Sequence, residues 1–323
     1  MTGTGLTTEA PRPVEPAVLG DVPGWFWDLD RHAFDWFLDR QEVTGLTGDL
    51  LELGAYLGRS AIVMGRHLRP GEKFTVCDLF DSDAPDEDNA AEMHMSYRRT
   101  LTREAFETNY LAFHDELPTL IQAPTSVLAD GRVKAGSCRF VHVDASHLYE
   151  HVAGDIQVAR AALRTAGVLV LDDYRSAHTP GVAAATWEAV FNQGLRPICL
   201  TECKFYGTWG DPEPFQRELI RASGGAEGCR VVTDTIAGQR VLRLGGAPSP
   251  VPFFPVSRHH DRIAEQAEQL AAEHAAERAA GQLAARRAAA AAARRPVAVA
   301  RRVAADLLPP VLTGALRRAR RRG

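Results

Sequence analysis

Short apolar runs and longer amphipathic stretches alternate along most of this chain. The runs Asp49–Leu53, Phe74–Asp78, Leu117–Ala123, Arg139–Asp144, Gly167–Asp172 and Arg196–Cys203 have the length and apolar character of strands. Between them, the stretches from Gly54 to about Leu68, Thr102–Phe113, Glu150–Thr165 and Val182–Asn192 have helical length and spacing. Arg230–Leu244 holds one or two further strands around the turn at Ala237-Gly238. Such alternation predicts an α/β fold, a mainly parallel sheet with helices on both faces, whose ligands sit beyond the carboxyl ends of the strands.

Three stretches break the pattern. Residues 1–20 are rich in Thr, Gly and Pro and are expected to be disordered. From Asp21 onward a helix-like segment is dense in aromatic residues (Trp25, Phe26, Phe34, Trp36 and Phe37), which suits core packing or a lid over a ligand. The polar stretch Leu79–Arg99, with Asp81, Asp83, Asp86, Glu87 and Asp88, is expected as a long functional loop. The domain expectation is therefore a disordered start over 1–20, a catalytic body over 21–255 and a tail over 256–323.

The tail changes the charge picture. Ala264–Ala293 is Ala-, Glu-, Gln- and Arg-rich, with high helix propensity and almost no large apolar residue. From Ala280 to Gly323 stand eleven Arg, no Lys and one acid, Asp306, so this stretch carries +10 and the rest of the chain −14 within a net −4. An acidic body argues against a nucleic-acid partner, whereas the basic, partly amphipathic end suits an anionic membrane surface. A solvated tail without a partner and a homo-oligomer both stay open.

Composition excludes several classes. With 45% hydrophobic and 24% charged residues, the 323-residue chain is globular. It has no apolar run long enough to span a bilayer and no secretory signal at its start. Five scattered cysteines without a C-x-x-C pair make neither a disulfide framework nor a zinc site, so the expected compartment is the cytoplasm, with the tail allowing peripheral membrane attachment.

The candidate chemistry lies at the strand ends. The first strand runs into Glu52-Leu53-Gly54-Ala55-Tyr56-Leu57-Gly58-Arg59-Ser60, a glycine turn that opens a helix without the dinucleotide spacing or a phosphate-loop lysine. The second strand ends in Asp78, where a carboxylate can accept both hydroxyls of a ribose. Glu52 would repel a pyrophosphate and orient an ammonium group, so the ligand expected is a nucleoside without one. The fourth strand ends Val143-Asp144-Ala145-Ser146-His147 and the fifth Leu171-Asp172-Asp173-Tyr174. Adjacent parallel strands would bring Asp144, Asp172 and Asp173 together, a costly arrangement unless a hard cation such as Mg²⁺ neutralises it. His147 would stand beside them as a group able to take a proton. Lys204–Trp209 reads as a hairpin packed at the sheet edge.

On these motifs the chain resembles the class I S-adenosylmethionine-dependent methyltransferases. Within them it is most similar to the small-molecule O-methyltransferases that act on macrolide sugars, and more distantly to catechol O-methyltransferase. The likeness covers about Asp21 to Leu244. It implies a Rossmann-like seven-stranded sheet, S-adenosylmethionine as cofactor, and Mg²⁺-assisted methylation of a hydroxyl on a small molecule such as a sugar or a diol. By that resemblance Glu52, Gly54, Gly58 and Ser60 serve the methionine end of the cofactor, Asp78 the ribose and Ser126 the adenine, while Asp144 touches both cofactor and metal. Asp172 and Asp173 complete the metal set and His147 is the general base. Metal-independent transfer, N-methylation and a non-catalytic cofactor-binding scaffold remain as alternatives.

Overall fold

A computed structural model describes residues 15–96, 101–223, 227–249 and 255–306. The strand–helix alternation expected from the sequence is present. In chain order the elements are α1 (Asp28–Val43), β1 (Asp49–Leu53), α2 (Arg59–Gly65), β2 (Phe74–Asp78), α3 (Glu87–Ser96), α4 (Arg103–Leu111), β3 (Thr119–Gln122), β4 (Cys138–Val143), α5 (Tyr149–Ala162), β5 (Leu163–Leu171), α6 (Pro180–Asn192), β6 (Arg196–Leu200), β7 (Phe205–Thr208), α7 (Glu213–Ser223), β8 (Glu227–Ile236), β9 (Gln239–Ser249) and α8 (His260–Asp306).

The strands form one sheet in the order β3-β2-β1-β4-β5-β7-β6-β9-β8. β1 pairs in parallel with both β2 and β4, so the order reverses between β1 and β4 and opens a crevice at their carboxyl ends. The first seven strands are the seven-stranded sheet that the resemblance implies. The β8–β9 hairpin adds two more through the parallel β6–β9 pair.

Strand residues alternate between two buried layers because helices cover both faces. Leu50, Phe140, Val168 and Val170 meet Phe34 and Phe37 of α1, Ile62 of α2 and Phe106 of α4. Leu51, Leu53, Val141 and Leu169 meet Val152 and Ile156 of α5 and Val182 and Ala185 of α6. Local signals place the helix starts: the Thr102 side chain accepts from Ala105 N at 3.1 Å, and Pro180 occupies the first turn of α6, where its missing N–H costs nothing.

Several expectations change here. Glu87–Ser96 inside the supposed loop is helical, with Asp86 Oδ1 accepting from Asn89 N at 2.8 Å as a cap. α1 begins at Asp28, which leaves Trp25, Phe26 and Trp27 outside the helix. β7 is not an edge strand, since it runs antiparallel between β5 and β6. Nor are residues 15–20 unstructured: Val18 bridges Val256, Leu19 N donates to Pro255 O at 3.0 Å, and Leu19 is buried. Contacts divide the chain after His260 rather than at residue 255, because Ser257 N donates to Ala17 O at 2.8 Å and Arg258 N to Ala112 O at 2.8 Å. The second unit is carried by α8, whose side chains are exposed from Glu265 through Ala292 and which continues through Pro296. The basic end from residue 307 onward lies outside the described residues. Among the described residues no helix is long and apolar enough to cross a membrane.

Candidate active site

A cavity of about 780 Å³ opens at the crevice between the carboxyl ends of β1 and β4. Its shape begins with Gly54, at φ +76°, where a Cβ would lie within 2.5 Å of Ala145 Cα. Only glycine lets the chain leaving β1 pass this close to the chain leaving β4. The Asp144 amide completes the junction by donating to Leu53 O at 2.7 Å.

Asp78 pins the turn that follows. Its Oδ2 accepts from the amides of Ala55 at 2.7 Å and Tyr56 at 3.1 Å, and its Oδ1 from Phe80 at 2.6 Å. Burial pushes this carboxyl above its usual range, against the pull of those three amides. Asp78 lines the cavity, but its oxygens are already engaged by backbone, so holding the glycine turn comes before any bond to a ribose. Gly58, at φ +94°, caps α2 and packs on the Phe106 ring, outside the cavity wall, whereas Ser60 lines it. Ser126 lines the far end, on the turn after β3.

Glu52 is placed differently from the expectation. It shares the Leu50 face of β1, beneath α1, is wholly buried and does not line the cavity. Its Oε1 lies 2.8 Å from His142 Nδ1, and its Oε2 has no hydrogen-bond partner. His142, its register partner on β4 and on the same face, takes the cavity-lining position instead.

The carboxylates expected to converge do so. Asp144 and Asp172 share a hydrogen bond, and both line the cavity with Asp173 and His147. His147 Nε2 stands 3.4 Å from Asp173 Oδ2. Donor atoms of Asp144, His147 and Asp173 lie within 4.8 Å of one another, as do those of His142, Asp144 and Asp172. The three carboxylates thus form two overlapping groups joined at Asp144 rather than one symmetric set. Asp173 holds φ at +53°, unfavourable for a non-glycine residue, and Asp172 Oδ1 supports it by accepting from Asp173 N at 2.8 Å. The Ser176 hydroxyl donates to Asp173 Oδ1 at 2.6 Å.

One buried cation sits in this cluster, and the sequence reading missed it. Lys204, between β6 and β7, donates from Nζ to Asp172 Oδ2 and lies 3.3 Å from His142 Nε2. Burial alone would raise the Asp172 carboxyl, but the Lys204 ammonium, with His142, outweighs it and holds Asp172 below its usual range. Burial likewise disfavours the charged lysine, and the carboxylates of Asp172, Asp144 and Asp30 overcome that and raise its pKa. Burial and the neighbouring Asp172 charge push Asp144 well above the carboxylate range, against the pull of the Lys204 ammonium.

Pro23 to Trp27 form a strap along the cavity mouth. Arg59 ties it down, donating from Nη1 to Gly24 O at 2.6 Å and from Nη2 to Gly20 O at 3.0 Å. Trp25 stacks on Tyr56 with ring centroids 5.7 Å apart. Within the aromatic segment Phe26, Phe34 and Phe37 are core, while Trp25 and Trp27 stand exposed at the cavity.

Residues 51–174 match the family model of a methyltransferase domain. The structure is similar to that of the O-methyltransferase NovP at 16% identity and a TM-score of 0.45, covering 57% of this chain and 80% of that one. It is also similar to CalS11, a TDP-rhamnose 3′-O-methyltransferase of calicheamicin biosynthesis, at 17% identity and a TM-score of 0.40, covering 56% and 80% respectively. A third is the O-methyltransferase TomG from Streptomyces achromogenes, solved with S-adenosylmethionine, at 12% identity and a TM-score of 0.31, covering 69% and 79%. No curated protein matches the chain. The match to the methyltransferase-domain family spans 124 of the 323 residues.

Proposed function

We propose that this enzyme transfers the methyl group of S-adenosylmethionine to a hydroxyl of a small molecule, a sugar or a diol, assisted by a divalent cation of the Mg²⁺ kind. The observation that carries the reading is the meeting of Asp144, Asp172, Asp173 and His147 in one cavity with the Gly54 turn. Carboxylate oxygens suit a hard cation, and the cluster offers them from two neighbouring strand ends, so the donor set fits the ion. Asp144 and Asp173 would hold it, with Asp172, whose Oδ2 accepts from Lys204, adjoining through Asp144. When bound, the cofactor supplies an electrophilic methyl group and the cation the charge that acidifies a hydroxyl.

The chain's own residues supply the rest. His147 takes the acceptor's proton, and Asp173 Oδ2, 3.4 Å from Nε2, accepts the N–H of the resulting imidazolium. Lys204 keeps Asp172 ionised and fixed, and the Asp78-pinned turn holds the cofactor end of the cavity in place. Orientation of donor and acceptor in a site walled by Phe26 and Trp27 contributes much of the rate.

Calorimetry with S-adenosylhomocysteine and electron paramagnetic resonance with Mn²⁺ test the reading separately. Asp173→Asn should keep the nucleoside and lose the ion. Turnover that survives a chelator would favour a metal-independent enzyme, and methyl found on nitrogen would favour N-methylation. For the basic tail we infer an anionic membrane surface as partner. Binding to phosphatidylserine vesicles should weaken steeply with salt, and salt-insensitive binding would contradict this.

A further inference from the structure

A wholly buried acid in β1 is left without a task by the proposed chemistry. Glu52 and His142 face each other across the β1–β4 pair, and both are fully buried. Glu52 Oε1 lies 2.8 Å from His142 Nδ1, while Oε2 has no hydrogen-bond partner. Taking a carboxylate out of water is costly, and here the imidazole is the one side chain that answers it. A carboxylate only accepts, so the imidazole proton between the two sits on Nδ1. That leaves Nε2 as an acceptor, and Nε2 is the atom 3.3 Å from the Lys204 ammonium. The other tautomer would set an N–H against the ammonium, donor against donor, and a lone pair against Glu52. The Phe34 ring packs edge-on against the imidazole, with centroids 5.0 Å apart, and hinders its turning. Beyond Lys204 the ammonium donates to Asp172 Oδ2, and Asp172 shares a hydrogen bond with Asp144. One line of donors and acceptors thus runs from beneath α1 to the carboxylate cluster.

We propose that Glu52 is a positioning residue: by holding the His142 proton on Nδ1 it makes Nε2 the acceptor that aims Lys204 at Asp172. Glu52 does not line the cavity and acts only through these two side chains. Its effect on turnover rests on the methyl-transfer reading, whereas the tautomer stands on the geometry alone.

The test is imidazole nitrogen NMR of the full-length protein, with the His142 signals assigned by their loss in His142→Gln. The wild type should show His142 with its proton on Nδ1 and a bare Nε2. Glu52→Met, which removes the acceptor at similar length, should lose that tautomer. Glu52→Gln, whose amide oxygen can still accept, should keep it. Turnover should follow the tautomer, falling about 10–100-fold in Glu52→Met, the usual effect of removing an orienting partner, and recovering in Glu52→Gln. Affinity for S-adenosylhomocysteine should stay at the wild-type value in both. A wild-type His142 protonated on Nε2, alone or together with Nδ1, overturns the proposal without any variant having to fold. A shifted tautomer with undiminished turnover overturns it as well. Weakened S-adenosylhomocysteine binding in both variants would return Glu52 to the methionine end of the cofactor, and equal losses of turnover in both would mark a merely structural role; either result overturns the proposal. A wild type that transfers no methyl group defeats the methyl-transfer reading instead, and the tautomer still decides this one.

Discussion

Replacing Lys204 by methionine keeps the length of the side chain and removes its charge. In the native site the ammonium is buried against Asp172 Oδ2 and His142 Nε2, with the Phe26 ring centroid 5.5 Å from Nζ. The variant leaves Asp172 buried without its cation, and breaking a buried pair in this way costs about 3–5 kcal/mol. The pH dependence has a definite sign. Asp172 is held below its usual range, so its contribution is present above the ordinary carboxylate range and is lost as pH falls through the folded value. Lys204 is raised, so its contribution is lost only as pH rises through a value above the ordinary lysine range. Urea unfolding of Lys204→Met should therefore show nearly the full penalty at about pH 7, and a smaller one at about pH 5 as Asp172 takes a proton. Asp172→Asn alone leaves a buried ammonium, whereas the double variant removes both charges. The two penalties should then fail to add by about 2 kcal/mol or more. A Lys204→Met penalty below about 1 kcal/mol, or strictly additive penalties, would refute the buried pair.

Other outcomes follow from the same geometry. His147→Ala should bind S-adenosylhomocysteine like the wild type and lose about 10²–10⁴-fold in turnover, the usual contribution of a positioned base; unchanged turnover would remove His147 from the mechanism. Gly54→Ala forces a Cβ to within 2.5 Å of Ala145 Cα at φ +76°, so denaturation should show a loss of more than about 2 kcal/mol. Ending the chain at His260 should leave the melting temperature of the first unit and its S-adenosylhomocysteine affinity unchanged, whereas a cut at residue 255 removes the Val256 and Ser257 contacts to Val18 and Ala17 and should lower stability.

Much of the sheet could be read from the sequence because its central strands are short, apolar and end in acids or glycine. Those strand ends bring Gly54, Asp144, Asp172, Asp173 and His147, all singled out in the sequence, into one cavity. The polar stretch hid α3, since its Asp86 cap and acidic first turn look the same in a helix and in a loop. β7 was hidden because four residues, one of them Gly207, carry too little pattern to show that the chain turns back into the sheet rather than along its edge. Glu52 was misplaced for a different reason. Its side chain shares a face with His142, and only the paired strands show that the histidine, not the carboxylate, reaches the cavity. Lys204 gave no signal, because a lysine is almost always at the surface and only the fold reveals the carboxylates that pay its desolvation.

The central claim is methyl transfer to oxygen. The direct measurement is incubation of the enzyme with S-adenosylmethionine carrying a trideuterated methyl group, Mg²⁺ and a metabolite extract, read by mass spectrometry and by carbon NMR of the labelled product. The account predicts S-adenosylhomocysteine together with a small molecule that carries the label on oxygen, both absent with Asp144→Asn. Label on nitrogen, or undiminished product from Asp144→Asn in the presence of a chelator, would contradict it.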